Sequence, residues 1–363
     1  MSTRARELRR EGRDIIALSA GQPDFPTPVH VCEAAAVAMA RGETGYTNLT
    51  GTPELKAAIS ASFRRTSGLD FTESKIIVSP GGKSVIAAAF AATLSPGDEV
   101  VVPTPCWTSY PDMVRLYGGT PVLVAGEANF KITPEAFDAA VTPQTRWLIL
   151  NSPGNPTGAV YSAEELLALA DVLRRHPHVW VLSDDIYSTV TFGVPFATLA
   201  AVAPDLAPRT LIVSGVSKSY SMAGWRVGWG AGPSELVTLM ATVQGQTTTC
   251  APSISQAASV AALEGPQDYL SEWTASYRSR RDLVVEGLNA LPGISCPVPD
   301  GAFYAFFQLP DGTDDVEWCT RLLEERGVAL VPGTAFSAPG HVRLSYAASE
   351  AVLRSALERM ESF

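Results

Sequence analysis

The chain has 363 residues, 46% of them apolar and 18% charged, with a formal net charge of −10. That length suits two domains, or one large domain with a smaller lobe, and a mean hydropathy of +0.11 lies far from the disordered regime. The acidic balance lacks the basic stripe that a phosphate backbone needs, so no nucleic acid partner is expected and solubility is the reading of the charge.

Met1–Asp14 is charged and helical in character, without the apolar stretch of a signal peptide. Pro53–Arg65 reads as an amphipathic helix, Lys75–Ser79 as a short strand, and Ser84–Leu94 as an alanine-rich helix stopped by Ser95-Pro96-Gly97. Strands follow at Glu99–Val102, Pro121–Val124 and Trp147–Leu150, then a helix at Glu164–Arg175, then strands at Val179–Leu182 and Leu211–Val213. This rhythm predicts an α/β layer with a mainly parallel sheet. Past about residue 270 the texture changes. A long charged helix near Tyr269–Leu291 is followed by the segment Ala302–Gln308, a helix near Val316–Arg326, a strand at Val328–Val331 and a terminal helix from Glu350. The expected division is a large domain over 29–275 and a smaller α/β lobe of 276–363 joined by 1–28.

No run of ~18 uncharged apolar residues occurs, so no membrane span is expected. Cys32, Cys106, Cys250, Cys296 and Cys319 are odd in number and include no CxxC. Reduced thiols in the cytoplasm fit better than a disulfide framework or a zinc knuckle. His30, His176, His178 and His341 show no metal-ligand spacing, and no metal is expected.

The chemistry centres on Lys218, one of five lysines. It stands in Ser214-Gly215-Val216-Ser217-Lys218, just past an apolar strand, with Gly224-Trp225-Arg226-Val227-Gly228 downstream. A lysine among small residues at a strand end can lie in a cavity, where desolvation and nearby cations favour the neutral amine that condenses with a carbonyl. Arg226 offers a planar cation suited to phosphate. A surface lysine beside an unrelated arginine is the plainer reading, and the spacing of lysine, arginine and glycines outweighs it.

The stretch Gly215–Gly228 resembles the lysine-attachment signature of class I aminotransferases, which are fold type I pyridoxal-phosphate enzymes, and the similarity extends from about Ala5 to the C-terminus. It is nearest to the bacterial aspartate aminotransferase branch. The resemblance implies a mainly parallel seven-stranded sheet flanked by helices, with a smaller α/β lobe. It also implies pyridoxal 5'-phosphate held as an imine on Lys218, beside Ser217, and ping-pong transfer of an amino group between an L-amino acid and a 2-oxo acid. Lys218 would be the general base and acid.

Further segments gain meaning from this likeness. Asn151-Ser152-Pro153-Gly154-Asn155-Pro156-Thr157-Gly158 reads as a tight loop on its own, and the family places an asparagine, here Asn155, beside the cofactor's phenolic oxygen. Ser183-Asp184-Asp185-Ile186-Tyr187 ends an apolar strand where α/β sheets bind ligands. The likeness assigns Asp184 to the pyridine nitrogen and Tyr187 to the phenolic oxygen, and leaves Asp185 as a turn cap where the family usually has glutamate. Gly81, Gly82 and Lys83 open a helix and resemble the phosphate cup. Lys83 is open between a reach to the substrate's distal carboxylate and a solvated helix start. Trp107 matches the aromatic that stacks on the ring, although a lone tryptophan is usually core. Tyr46 matches a tyrosine reaching a neighbouring subunit's phosphate, which implies a homodimer with shared sites. Arg343, on an alternating strand that puts it and Ser345 on one face, matches the α-carboxylate clamp, and Gly21 matches a backbone donor to the same group.

An acidic substrate of aspartate or glutamate type follows from the likeness. By the same comparison the chain starts roughly two dozen residues late, missing a segment that helps close the site. A different side chain, an open site and a truncated start all remain compatible. Aromatic or prephenate-type transamination, and a lyase or cyclase using the same lysine, are the alternatives. A regulator with a DNA-binding domain in front is not expected, because the similarity begins near residue 5.

Overall fold

A computed structural model describes residues 2–127 and 129–363. The strands in chain order are β1 (Ile16–Ala17), β2 (Ile76–Ser79), β3 (Glu99–Thr104), β4 (Thr120–Ala125), β5 (Thr145–Asn151), β6 (Trp180–Asp184), β7 (Thr210–Gly215), β8 (Gly228–Ala231), β9 (Tyr304–Gln308), β10 (Val328–Ala329), β11 (Val331–Pro332) and β12 (His341–Ser345). Seven of them form one sheet in the order β2-β8-β7-β6-β5-β3-β4. Pairing is parallel from β7 through β4, and β8 runs antiparallel to both β2 and β7.

The central strands are near-continuous apolar runs because helices cover both faces of a parallel sheet. Trp147, Leu148, Ile149, Val181, Leu182, Leu211 and Ile212 are all buried. At the margin, β4 has only exposed and half-buried positions and tolerates Pro121, as an edge strand can. The sequence assigns no strand to β8, since Gly228-Trp229-Gly230-Ala231 has poor strand character. Tertiary packing overrides that. A Cβ on Gly230 would lie 2.8 Å from Val85 Cγ1, so only glycine lets the helix Gly82–Thr93 approach this strand.

A second group of elements combines β9-β12-β11 with the parallel pair β1-β10. Ile16 and Leu18 join Phe303, Phe307, Leu322, Val328, Val342, Leu344 and Leu353 in one apolar cluster, so the N-terminal segment packs on C-terminal elements. The helix Asp268–Asn289 is continuous across residue 275. Tyr269 and Leu270 pack on a cluster of the seven-stranded sheet, while Tyr277, Val284 and Leu288 belong to the other cluster.

Several elements differ from the sequence reading. The alanine-rich helix begins at Gly82 rather than Ser84, and a 3-10 turn at Glu73–Lys75 takes the start of the expected strand. The strand expected at Val328–Val331 is two strands: β10 pairs with β1 and β11 with β12. Helices at Val29–Ala40, Ser234–Thr247 and Ser253–Glu264 are rich in small residues and lack a clear apolar stripe, so periodicity does not reveal them.

For the site, the decisive feature is one edge of the large sheet. Ser79, Thr104, Asn151, Asp184 and Gly215 end parallel strands there, and Gly228 begins antiparallel β8 at the same edge, opposite both Ser79 and Gly215.

Candidate active site

At that edge lies a cavity of about 440 Å³. Its wall includes Gly21, Gly82, Lys83, Trp107, Asn155, Asp184, Tyr187, Ser217, Lys218, Arg226 and Arg343. Of the residues expected in the site, Gly81 and Tyr46 are not among those lining it; Gly81 lies directly before Gly82, and Tyr46 is 92% exposed.

Lys218 leaves β7 on the one-turn helix Val216–Ser219 and its Nζ donates to the Gly21 carbonyl at 2.5 Å. Burial pushes its pKa down to about 8, with the Arg226 and Arg343 cations acting in the same direction and Asp184 opposing. A sizeable fraction of neutral, nucleophilic amine therefore exists near neutral pH.

Asp184, the last residue of β6, accepts from Tyr110 Oη at 2.6 Å and from the Ile186 N–H at 3.3 Å. Burial raises its pKa to about 6, against the opposing effect of those hydrogen bonds and of Lys218. Its neighbour points to the opposite face of the strand, as strand geometry requires. The Asp185 carboxylate accepts from Ser183 Oγ at 2.7 Å and does not line the cavity. The expectation that Asp185 caps the following turn is thereby corrected. Its backbone carbonyl accepts the turn's Ser188 N–H, while its side chain is buried and raised to about 8 by that burial.

At one end of the cavity, three glycines shape a cradle. Gly81 has φ +91° and precedes the twelve-residue helix Gly82–Thr93, whose N-terminus faces the cavity through Gly82 and Lys83. A Cβ on Gly228 would collide with Gly82 N and lie 2.7 Å from Gly81 C. Arg226, at φ +57°, donates to the Ala223 carbonyl at 2.7 Å and to the Pro80 carbonyl at 3.3 Å, and forms no ion pair among the described residues. A helix N-terminus with an unpaired guanidinium suits a phosphate.

Trp107 stands edge-on to Tyr110, with ring centroids 5.3 Å apart, and Lys83 Nζ lies 4.8 Å from the Trp107 ring. Lys83 therefore lines the cavity wall and is itself exposed at the start of its helix, so it carries a feature of each of the two readings left open by sequence.

At the other end, Arg343 on β12 is only 7% exposed. It donates to Asn155 Oδ1 at 2.8 Å and to the Ser19 carbonyl at 2.7 Å, while its Nε has no hydrogen-bond partner. Its guanidinium lies 4.6 Å from the Tyr304 ring and 4.9 Å from the Phe336 ring, and burial lowers its pKa. No carboxylate balances this buried cation among the described residues, an arrangement suited to an anionic ligand. Tyr187 shares a 2.7 Å hydroxyl–hydroxyl bond with Tyr304, and burial raises both phenols.

Sequence reasoning missed Tyr110, Tyr304, Val331 and Phe336, all on the wall. In Ala302–Gln308 nearly every residue is buried, so alternation marks no face, and a single hydroxyl within an apolar run was the only available signal. Among the described residues no group of three His, Cys, Asp or Glu side chains is placed to hold a metal, and no helix is long and apolar enough to cross a membrane.

Comparison with known proteins places this geometry. The family model described as aminotransferase class I and II matches residues 13–360. An aspartate aminotransferase of Rhizobium meliloti (strain 1021) is 52% identical, over 99% of this chain and 91% of the relative. An aspartate/prephenate aminotransferase of Cereibacter sphaeroides is 48% identical, over 100% of this chain and 94% of the relative. The solved Thermus thermophilus aspartate aminotransferase with maleate superimposes with a TM-score of 0.94 at 46% identity, covering 99% of this chain and 94% of that one. With a full-length family match and relatives near half identity, the chain belongs to the class I and II aminotransferases.

Proposed function

We propose that the protein binds pyridoxal 5'-phosphate at Lys218 and exchanges the amino group of an acidic L-amino acid, aspartate or glutamate, with a 2-oxo acid. One observation carries this reading. A depressed lysine amine, a buried carboxylate and two cations without acidic partners face one another across a single cavity. The residues fit the cofactor at both ends. The Gly81–Gly82 turn, closed against Gly228, would hold the phosphate with Arg226, and Asp184 would face the ring nitrogen. When bound, pyridoxal phosphate supplies a carbonyl that condenses with amines and an electron sink for the carbanion at the substrate α-carbon.

The chain's own residues do the rest. Arg343 receives the substrate α-carboxylate, for which its unpartnered Nε and buried charge are prepared. Lys218 Nζ in its neutral form, which burial makes more accessible than for a solvated lysine, takes the proton from the substrate α-carbon. Asp184 would hold a negative charge for the pyridine nitrogen, and Trp107 would cover the ring. Asn155 and Tyr187 would hydrogen-bond the phenolic oxygen, and the Gly21 backbone would border the carboxylate. Lys83, in the wall beside Trp107, is the cation for the distal carboxylate, a reading supported by the Thermus neighbour solved with maleate, itself a dicarboxylate. The aromatic and aliphatic wall of Trp107, Val331 and Phe336, and the Cereibacter relative's name, favour a larger prephenate-type partner as a second substrate. We assign the working form as a homodimer in which Tyr46 reaches the neighbour's phosphate, and the compartment as cytoplasmic, a choice supported by five free cysteines.

The test is direct. Protein saturated with pyridoxal phosphate is reduced with borohydride, digested and mapped, and aspartate with 2-oxoglutarate is assayed for oxaloacetate. An adduct on Lys218 and formation of the oxo acid are expected; an unlabelled Lys218 in saturated protein would overturn the assignment.

A further inference from the structure

Tyr304 sits at the junction of three groups in the cavity wall. It lies on β9, paired with β12 so that Tyr304 faces Ser345 and Phe306 faces Arg343. Its side chain is fully buried. The hydroxyl is 2.7 Å from Tyr187 Oη, on the loop after β6. Its ring lies 4.6 Å from the Arg343 guanidinium. The same hydroxyl sits where a Cβ on Gly21 would come within 2.6 Å, so the segment that accepts Lys218 Nζ passes directly against it.

We propose that Tyr304 is a positioning residue with two separable parts: a hydroxyl that orients Tyr187 toward the cofactor's ring oxygen, and a ring that supports Arg343. The proposal rests on the cofactor reading above. Either phenol can donate in the free protein. Once Tyr187 donates to an anionic ring oxygen, its own oxygen accepts from Tyr304, and each bond in such a chain strengthens the next. The ring offers Arg343 its negative face, a contact worth more where water is excluded. Because β9 belongs to the C-terminal group of strands and Tyr187 follows β6, the hydroxyl pair also ties the two sides of the cavity together.

Two variants separate the parts. Tyr304→Phe keeps the ring and removes the hydroxyl; Tyr304→Leu removes both. In each, the visible absorption of the bound cofactor is titrated against pH and the KM for aspartate is measured. A donor to the ring oxygen stabilises its anionic form and lowers the pH of the absorption change. Tyr304→Phe is expected to raise that midpoint by roughly half a pH unit to one unit, the size of a neutral hydrogen bond. The shift should vanish when Tyr187→Phe is already present, because Tyr304 acts through Tyr187. KM should stay within about twofold in Tyr304→Phe and rise about fivefold or more in Tyr304→Leu, as loss of a desolvated cation–π contact implies. An unchanged midpoint in Tyr304→Phe, a shift that persists without the Tyr187 hydroxyl, or equal KM values in the Phe and Leu variants would each overturn the proposal. A parent protein without any visible cofactor band would instead refute the cofactor reading itself.

Discussion

In water the Lys218 amine would keep its proton to about pH 10.4. In the fold, burial first and then the Arg226 and Arg343 cations bring it to about 8. Only the neutral amine attacks a carbonyl, so its availability grows as pH rises through that value and levels off above it. Capture of pyridoxal phosphate by the cofactor-free protein, followed by stopped-flow absorbance, is therefore expected to accelerate with a midpoint near pH 8; a midpoint near the ordinary lysine value would show that the amine is solvated. Arg343 makes the complementary case for a cation. Its Nε is unpartnered and no carboxylate faces it among the described residues, so a substrate carboxylate supplies what the fold withholds. Losing a charge-assisted pair costs on the order of 1.5–3 kcal/mol, so Arg343→Ala should raise KM for amino acids about tenfold or more while leaving the Lys218 adduct in place. Lys218 was legible in the sequence because small residues, an arginine and glycines stand around it at fixed spacing, and Arg343 because its alternating strand matches the family's carboxylate clamp. Tyr304 was not, since a buried strand without alternation hides which of its side chains faces the cavity.

Among the elements, the turn between β2 and its following helix does more than connect. Ser79 and Gly215 both pair with Gly228, so three segments converge at one point of the sheet edge. A methyl group on Gly228 has no room beside Gly81 and Gly82. Gly228→Ala should open the cradle, weakening cofactor affinity measured by equilibrium dialysis and lowering stability by about 1–3 kcal/mol through overpacking; unaltered affinity would remove this turn from the phosphate site. The apolar runs of β5, β6 and β7 announce themselves because a strand covered on both faces needs apolar residues throughout. The glycines that let β8 sit between β2 and β7 are the same residues that disguise it as a loop, and the split of the Val328–Val331 run between two sheets has no local marker.

For the whole molecule, the exposed Tyr46 sets the test of shared sites. A cavity that borrows Tyr46 from a second copy can be repaired by mixing two damaged subunits. A Tyr46→Ala subunit combined with a Lys218→Ala subunit places an intact lysine beside an intact tyrosine in one of the two sites of the hybrid. Activity is expected to reappear on mixing equal amounts after subunit exchange, at about a quarter of the parent level, since half of the dimers are hybrids with one repaired site each; if each parent variant stays as it was, Tyr46 serves no neighbouring site.

Sequence alone determined the kind of chemistry. A lysine after an apolar strand, an arginine eight residues later and an acid at the end of a neighbouring strand are local patterns, and local patterns survive in one dimension. Tertiary structure decided which way each side chain faces: Asp184 into the cavity and Asp185 away from it, Lys83 into the wall, Tyr304 between Tyr187 and Arg343. Those choices follow from strand register and from contacts between residues more than a hundred positions apart, such as Tyr187 with Tyr304 and Asn155 with Arg343, and they are fixed only when the sheet and the C-terminal strands pack together.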